Sequence, residues 1–197
     1  MRFSENNPSP LLLNPISIIL PLLLIAAVAC GESKTEDAEA SADQESSAPM
    51  PENSNDDVPV DKIENAVFTD WDGNEVQLSD FRGKTVLIDF WETWCGPCLN
   101  AMPALDKLMN DYPEDFVVIA VSPGWSDSEE VVRRFIDEHD YSFVYVHDQE
   151  LATALEIRGI PYKVYVDPQG KYIKNETGSR GPDREYEMIS QIIEENR

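Results

Sequence analysis

The chain is 197 residues long, which leaves room for one domain of ordinary size plus extensions. Its formal charge of −23 at pH 7 argues against sequence-independent nucleic-acid binding, because phosphate contacts need clustered Lys and Arg and no basic stripe offsets the acidic excess. With only three cysteines, Cys30, Cys95 and Cys98, it is not a small secreted scaffold stapled by several bridges, so these residues are read for their chemistry.

Residues 1–30 carry Arg2 and then an apolar stretch from Leu11 to Ala29, interrupted by Asn14, Pro15 and Pro21. A membrane-spanning helix wants roughly 20 apolar residues and the prolines disfavour one, whereas a short apolar core ending in small residues suits an export signal. The stretch closes on Ala27-Val28-Ala29-Cys30. This resembles a bacterial lipobox, in which the signal is removed before a cysteine that carries lipid, here Cys30. An uncleaved membrane anchor is the other reading. Residues 31–65 hold 11 acidic and 2 basic residues among Ser, Ala and Pro, a composition unable to bury enough surface to offset its ordering entropy, and are expected to form a disordered tether.

The folded domain is expected over residues 66–197. Val67-Phe68-Thr69 and Glu75-Val76-Gln77-Leu78 flank Asp72-Gly73-Asn74 and predict a small hairpin. Thr85 to Phe90 and Phe116 to Val121 are continuous apolar and β-branched runs of buried-strand type. Between them, Pro97 to Asn110 reads as a helix with Pro103 inside it, where a kink is expected. Ser126 with Glu129 predicts a capping box that starts a helix presenting Val131, Val132, Phe135 and Ile136 on one face. A strand at Tyr141 to Val146, a short helix near Glu150 to Leu155 and a strand at Lys163 to Asp167 follow. The turn Asp167-Pro168-Gln169-Gly170 leads into Lys171 to Thr177, and Pro182 opens a last helix through Met188, Ile189, Ile192 and Ile193. Strands alternating with helices predict an α/β fold, a sheet covered on both faces with a hairpin at its edge.

Cys95-Gly96-Pro97-Cys98 lies directly after a buried strand and at the start of a helix. A helix N-terminus offers unpaired N–H groups and partial positive charge, which stabilise a thiolate at the first cysteine. Lowering a thiol pKa from about 8.5 to about 7 needs roughly 2 kcal/mol, within reach of such a site. Cys95 is therefore the expected nucleophile and Cys98 the resolving cysteine, one turn further in. Pro97 sets the first helical turn, and Gly96 leaves the backbone uncrowded for an incoming chain. Asp89, surrounded by apolar residues in its strand, is expected to have a raised pKa and to exchange a proton with Cys98. No metal is expected, since one Cys-x-x-Cys is half a tetrahedral zinc site and neither His139 nor His147 stands at ligand spacing. A purely structural bridge is disfavoured too, because so short a loop barely constrains the unfolded chain.

Ile88-Asp89-Phe90-Trp91-Glu92-Thr93-Trp94-Cys95-Gly96-Pro97-Cys98 resembles the active-site segment of thioredoxins and of their membrane-anchored relatives, the TlpA/ResA-like thiol-disulfide oxidoreductases. Pro103 matches the family's proline in the active-site helix, and Arg158-Gly159-Ile160-Pro161 its cis-proline loop. The resemblance implies a thioredoxin-like fold with a central mixed sheet, helices on both faces, an N-terminal hairpin and an inserted βα unit. It implies that Trp94 belongs to the site, that Pro161 lies against the two sulfurs and bars metal ligation, and that Ile160 offers backbone groups to the substrate. Three departures stand out. Asp89 is the thioredoxin-type residue where this branch often has a neutral amide, Phe116 to Ser122 contains no lysine to pair with it, and Tyr162 and Lys163 follow the proline where small hydroxyl residues are common.

The resemblance further implies a thiol-disulfide exchange enzyme of the bacterial cell envelope without a cofactor. Its domain would face the periplasm or the cell exterior and reduce disulfides of exported proteins, apocytochrome c or other envelope thiol proteins among them. A membrane thiol-reducing partner would recharge it. The alternatives are a thiol oxidant, a peroxiredoxin-like peroxidase, and a non-catalytic binding module on a lipoprotein stalk. The peroxidase signature Pro-x-x-x-Thr-x-x-Cys is absent, Thr93 lying only two residues before Cys95.

Overall fold

A computed structural model describes residues 58–197. The apolar leader, Cys30 and the acidic stretch as far as residue 57 lie outside the described residues. In chain order the elements are α1 (Val60–Glu64), β1 (Val67–Asp70), β2 (Glu75–Gln77), a 3-10 turn (Leu78–Phe81), β3 (Thr85–Phe90), α2 (Gly96–Asp111), β4 (Phe116–Ser122), α3 (Glu129–Glu138), β5 (Val144–His147), α4 (Gln149–Ala154), β6 (Tyr162–Val166), β7 (Tyr172–Thr177) and α5 (Pro182–Asn196).

The two longest apolar runs become the middle of the sheet. Every residue of β3 and β4 is buried, as expected of strands covered on both faces. They run parallel, and the seven strands are ordered β2-β1-β5-β4-β3-β6-β7. β5 extends the parallel core from β4, while β6 and β7 on one side and β1 and β2 on the other pair antiparallel, so the sheet is mixed. Side chains alternate across the sheet. Val86, Ile88, Phe90, Val164 and Val166 pack with Ile63 of α1 and Leu151 of α4 on one face. Leu87, Trp91, Val118 and Tyr165 pack with α2, α3 and α5 on the other, the face that also holds Cys95 and Cys98.

Three expectations need correction. The expected tether reaches too far, because α1 falls inside it. Ile63 is fully buried, and the Glu64 carboxylate accepts bonds from Lys171 Nζ at 2.7 Å and the Tyr172 main-chain N–H at 3.2 Å. An acidic average over the segment hides one apolar side chain that plugs the core. The Ser126–Glu129 capping box does not form. Ser128, in extended backbone, is the N-cap residue, without a side-chain cap, and the Ser126 N–H is held by Glu92 in the bend before it. The face expected on α3 packs inward, with Val132 fully buried and Phe135 and Ile136 half-buried against the same cluster. β5 begins at Val144 rather than Tyr141, since its pairing with β4 starts at Ile119–Val144 and the Ser142 N–H is taken by Asp106 Oδ1 at 2.8 Å.

Candidate active site

β3 delivers Phe90 to the sheet edge, and the Trp91 N–H still bonds to Val121 of β4 at 3.0 Å before the chain leaves the sheet. Four residues then lead into α2, of which Cys95 is the N-cap. Its sulfur accepts the Cys98 N–H at 3.3 Å, one of the donors a helix start leaves without an intrahelical partner. Cys95 and Cys98 are joined in a disulfide with their Cα atoms 5.3 Å apart. Cys98 has no exposed surface and Cys95 keeps 3 % of its own, so the first cysteine is the one nearer solvent. Gly96 and Pro97, forming the first turn, are exposed, and Pro103 sits inside the helix.

The lead-in is pinned by two acidic side chains that the sequence reading passes over. Glu92 is fully buried, with Oε2 accepting the Trp94 indole N–H at 2.5 Å and Oε1 accepting the main-chain N–H groups of Trp125 at 2.6 Å and Ser126 at 3.2 Å. Asp127 accepts the Thr93 N–H at 2.5 Å and the Thr93 hydroxyl at 2.9 Å. The loop between β4 and α3 is thereby bound to the segment that carries Cys95. Both indoles at this junction remain open to solvent, Trp94 at 56 % and Trp125 at 39 %. Trp91, by contrast, is buried against the rings of Phe135 and Tyr145.

The Ile160–Pro161 peptide is cis; Pro161 is buried, its carbonyl accepts the Gly178 N–H at 2.8 Å, and half-buried Ile160 packs against both core clusters. Asp89 is 2 % exposed and shares the face of β3 that carries Leu87 and Trp91, the side of α2. Burial pushes its carboxyl up to about 7, against the pull of the Lys163 cation and with a smaller push from Glu185. Its Oδ1 atom is buried without a hydrogen-bond partner.

Lys163 is fully buried, donates to Glu185 Oε1 at 3.0 Å and to the Gly178 carbonyl at 3.2 Å, and is the cross-strand partner of Asp89. The absence of a lysine from β4 is thus met by one on β6. Its sequence signals are its place just after the cis-proline, where small hydroxyl residues are common, and a charge inside the apolar run Tyr162-Lys163-Val164-Tyr165-Val166. The histidines lie apart from this chemistry. His139 Nδ1 is 2.9 Å from the Phe135 carbonyl and its ring stacks on Phe135, while exposed His147 lies beside Trp71. Among the described residues no group of three or more His, Cys, Asp and Glu is placed to hold a metal ion.

Residues 59–174 match the AhpC/TSA family. The chain belongs to that family. Within it, the chain is 34% identical over 134 residues to the thiol-disulfide oxidoreductase ResA of Halalkalibacterium halodurans, covering 66% of this chain and 70% of that one. The ResA protein of Bacillus thuringiensis subsp. konkukian is 30% identical over 130 residues, covering 65% and 75%. Among solved structures, the exposed lipoprotein thioredoxin of Streptococcus pneumoniae strain TIGR4 is similar with a TM-score of 0.57 at 28% identity, covering 66% of this chain and 98% of that one. These relatives and the mixed sheet make the chain a thiol-disulfide oxidoreductase of ResA type with a thioredoxin-like fold.

Proposed function

We propose that this family member acts as a reductant, cycling Cys95 and Cys98 between dithiol and disulfide while reducing the disulfides of exported proteins. The observation that carries the reading is a carboxyl able to hold or release a proton near neutral pH, Asp89, buried on the same sheet face as Cys98. In the reduced enzyme the start of α2 stabilises the Cys95 thiolate. That thiolate attacks one sulfur of the substrate disulfide, forms a mixed disulfide and expels the other sulfur as a thiolate, which takes a proton from water. The Cys98 thiol gives its proton to the Asp89 carboxylate and attacks Cys95. The Cys95–substrate bond breaks, the second substrate sulfur leaves as a thiolate and takes the proton back from Asp89, and two electrons have passed to the substrate. Ile160 and Pro161 line the place where the substrate chain is laid, with Trp94 exposed beside it.

The export signal, the lipobox-like Ala27-Val28-Ala29-Cys30 and the lipoprotein nature of the Streptococcus pneumoniae neighbour support a place outside the cytoplasm, held to the membrane through Cys30 or the leader. Among the described residues no helix is long and apolar enough to cross a membrane. An exported domain is cut off from cytosolic reductant, so a membrane thiol-reducing partner recharges it. A thiol peroxidase is the second reading; the Thr93 hydroxyl counts against it, being committed as a donor to Asp127.

The test is the equilibrium reduction potential of the Cys95–Cys98 couple against glutathione and dithiothreitol, with Cys95→Ser as control. A potential well below the glutathione range supports the reductant, one well above it supports an oxidant, and no reversible couple defeats both. Peroxide consumption by the reduced protein would favour the second reading.

A further inference from the structure

Three ionisable side chains meet behind the active-site helix, only one of which the proposed reaction uses. Asp89 on β3 and Lys163 on β6 are register partners in an antiparallel pair. Directly opposed residues on one face have Cβ atoms about 4.5–5.5 Å apart. They share a face because Leu87 and Trp91, two residues either side of Asp89, and Tyr165, two residues after Lys163, all belong to the cluster that contains Cys98. Glu185, in the first turn of α5, completes the group through its 3.0 Å bond from Lys163 Nζ and a 3.1 Å bond from the Arg180 N–H. Exposure is 2 % at Asp89, 0 % at Lys163 and 1 % at Glu185.

Such a cluster is costly, since each buried ion loses several kcal/mol of hydration and an apolar trio of similar volume is often as stable or more so. Its charge balance points to a use. Lys163 and Glu185 cancel as a bonded pair, and a protonated Asp89 leaves the group neutral. One oxygen each of Asp89 and Glu185, Oδ1 and Oε2, is buried without a partner. The same face also carries Cys98 on α2, bonded to Cys95 and titratable only when reduced, and Tyr165 on β6, whose hydroxyl donates to Glu176 Oε1 of β7 at 2.7 Å. The β4 partner of Asp89 is Ala120, which carries no charge. Lys163 is therefore the buried cation nearest in register, and Glu185 its counterweight.

We propose that Lys163 and Glu185 are positioning residues, a paired charge that governs when Asp89 gives and takes its proton and hence the pH range in which Cys98 resolves the mixed disulfide. The role in resolution rests on the reductase reading; control of Asp89 itself does not. An uncompensated Lys163 cation would hold Asp89 ionised and unable to donate back, whereas an unpaired Glu185 would hold it protonated and unable to accept.

The test compares the full-length protein with Glu185→Gln and with the double variant Lys163→Met/Glu185→Gln. The Asp89 carboxyl is titrated by carbon-13 NMR in the oxidised state, and the rate at which the reduced protein cleaves insulin disulfides is followed against pH. Glu185→Gln keeps shape and an acceptor but frees the lysine charge, so the Asp89 midpoint and the rate inflection should both fall by about one pH unit or more. The double variant, with both charges gone, should bring both back up. A folded Glu185→Gln protein with an unmoved NMR midpoint overturns the proposal, as does a double variant that stays low. An Asp89 midpoint that moves as expected while the rate profile ignores both it and Asp89→Asn defeats the reductase reading's proton step and leaves control of Asp89 standing.

Discussion

The buried carboxylate of Glu92 accepts the indole N–H of Trp94 at 2.5 Å, so the exposed ring adjoining Cys95 is steered by a side chain two residues earlier. The other oxygen of the same carboxylate holds the β4–α3 loop through Trp125 and Ser126. Glu92→Ala leaves three donors without their acceptor and should cost about 2–3 kcal/mol, because bonds to a buried charged acceptor exceed ordinary ones. Glu92→Gln, which keeps one carbonyl oxygen, should lose less. Urea unfolding of both variants measures the difference, and a Trp94 fluorescence anisotropy that drops in Glu92→Ala reports the released ring.

Asp89 makes stability depend on pH. Its carboxyl titrates at about 7 in the folded protein against an ordinary value of 3.8, so between those values the folded state binds more protons than the unfolded. The favourable protonated state is fully populated below about pH 4, and its advantage is lost as pH rises through 7, at a cost on the order of 4 kcal/mol. Asp89→Asn should therefore raise the urea midpoint clearly at pH 8 and hardly at pH 4. A gap that stays constant with pH would rule out this titration. The same variant should slow resolution of the mixed disulfide.

The slight exposure of Cys95 against the complete burial of Cys98 sets an order of attack. Reduced Cys98→Ser should accumulate a one-to-one mixed disulfide with a cystine substrate, whereas Cys95→Ser should form almost none. Mass spectrometry under non-reducing conditions distinguishes them, and an equal yield of adduct on Cys98 would remove the assigned roles.

Ile63 tests where the folded domain begins. Its side chain is fully buried among Phe68, Ile88 and Val166, so Ile63→Ala should cost about 2–5 kcal/mol by urea unfolding, the range for large-to-small core changes. A loss below about 0.5 kcal/mol, the scale of surface substitutions, would return α1 to the tether.

Much of this architecture is legible along the chain because its signals are local. The runs Thr85–Phe90 and Phe116–Ser122 are dominated by β-branched and aromatic residues and read as interior strands, and Pro182 stands at the start of α5 as an N1-type proline should. Cys95 and Cys98 are legible for the same reason, since strand, turn and helix start follow one another without a gap. Ser126 and Glu129 mislead because a capping box competes with tertiary acceptors, and here the buried Glu92 carboxylate takes the Ser126 N–H.

The cysteine pair, the helix start that holds it and the apolar surroundings of Asp89 are set by residues within a dozen positions of one another and can be read along the chain. Which charges stand near them depends on the folding of distant segments together. Lys163 reaches Asp89 through the register of β3 with β6, Glu185 reaches Lys163 from α5, and Glu92 binds a loop more than thirty residues away. Electrostatic and hydrogen-bond energies depend on distance in space and on exclusion of water, and neither is encoded in the spacing of residues along the chain.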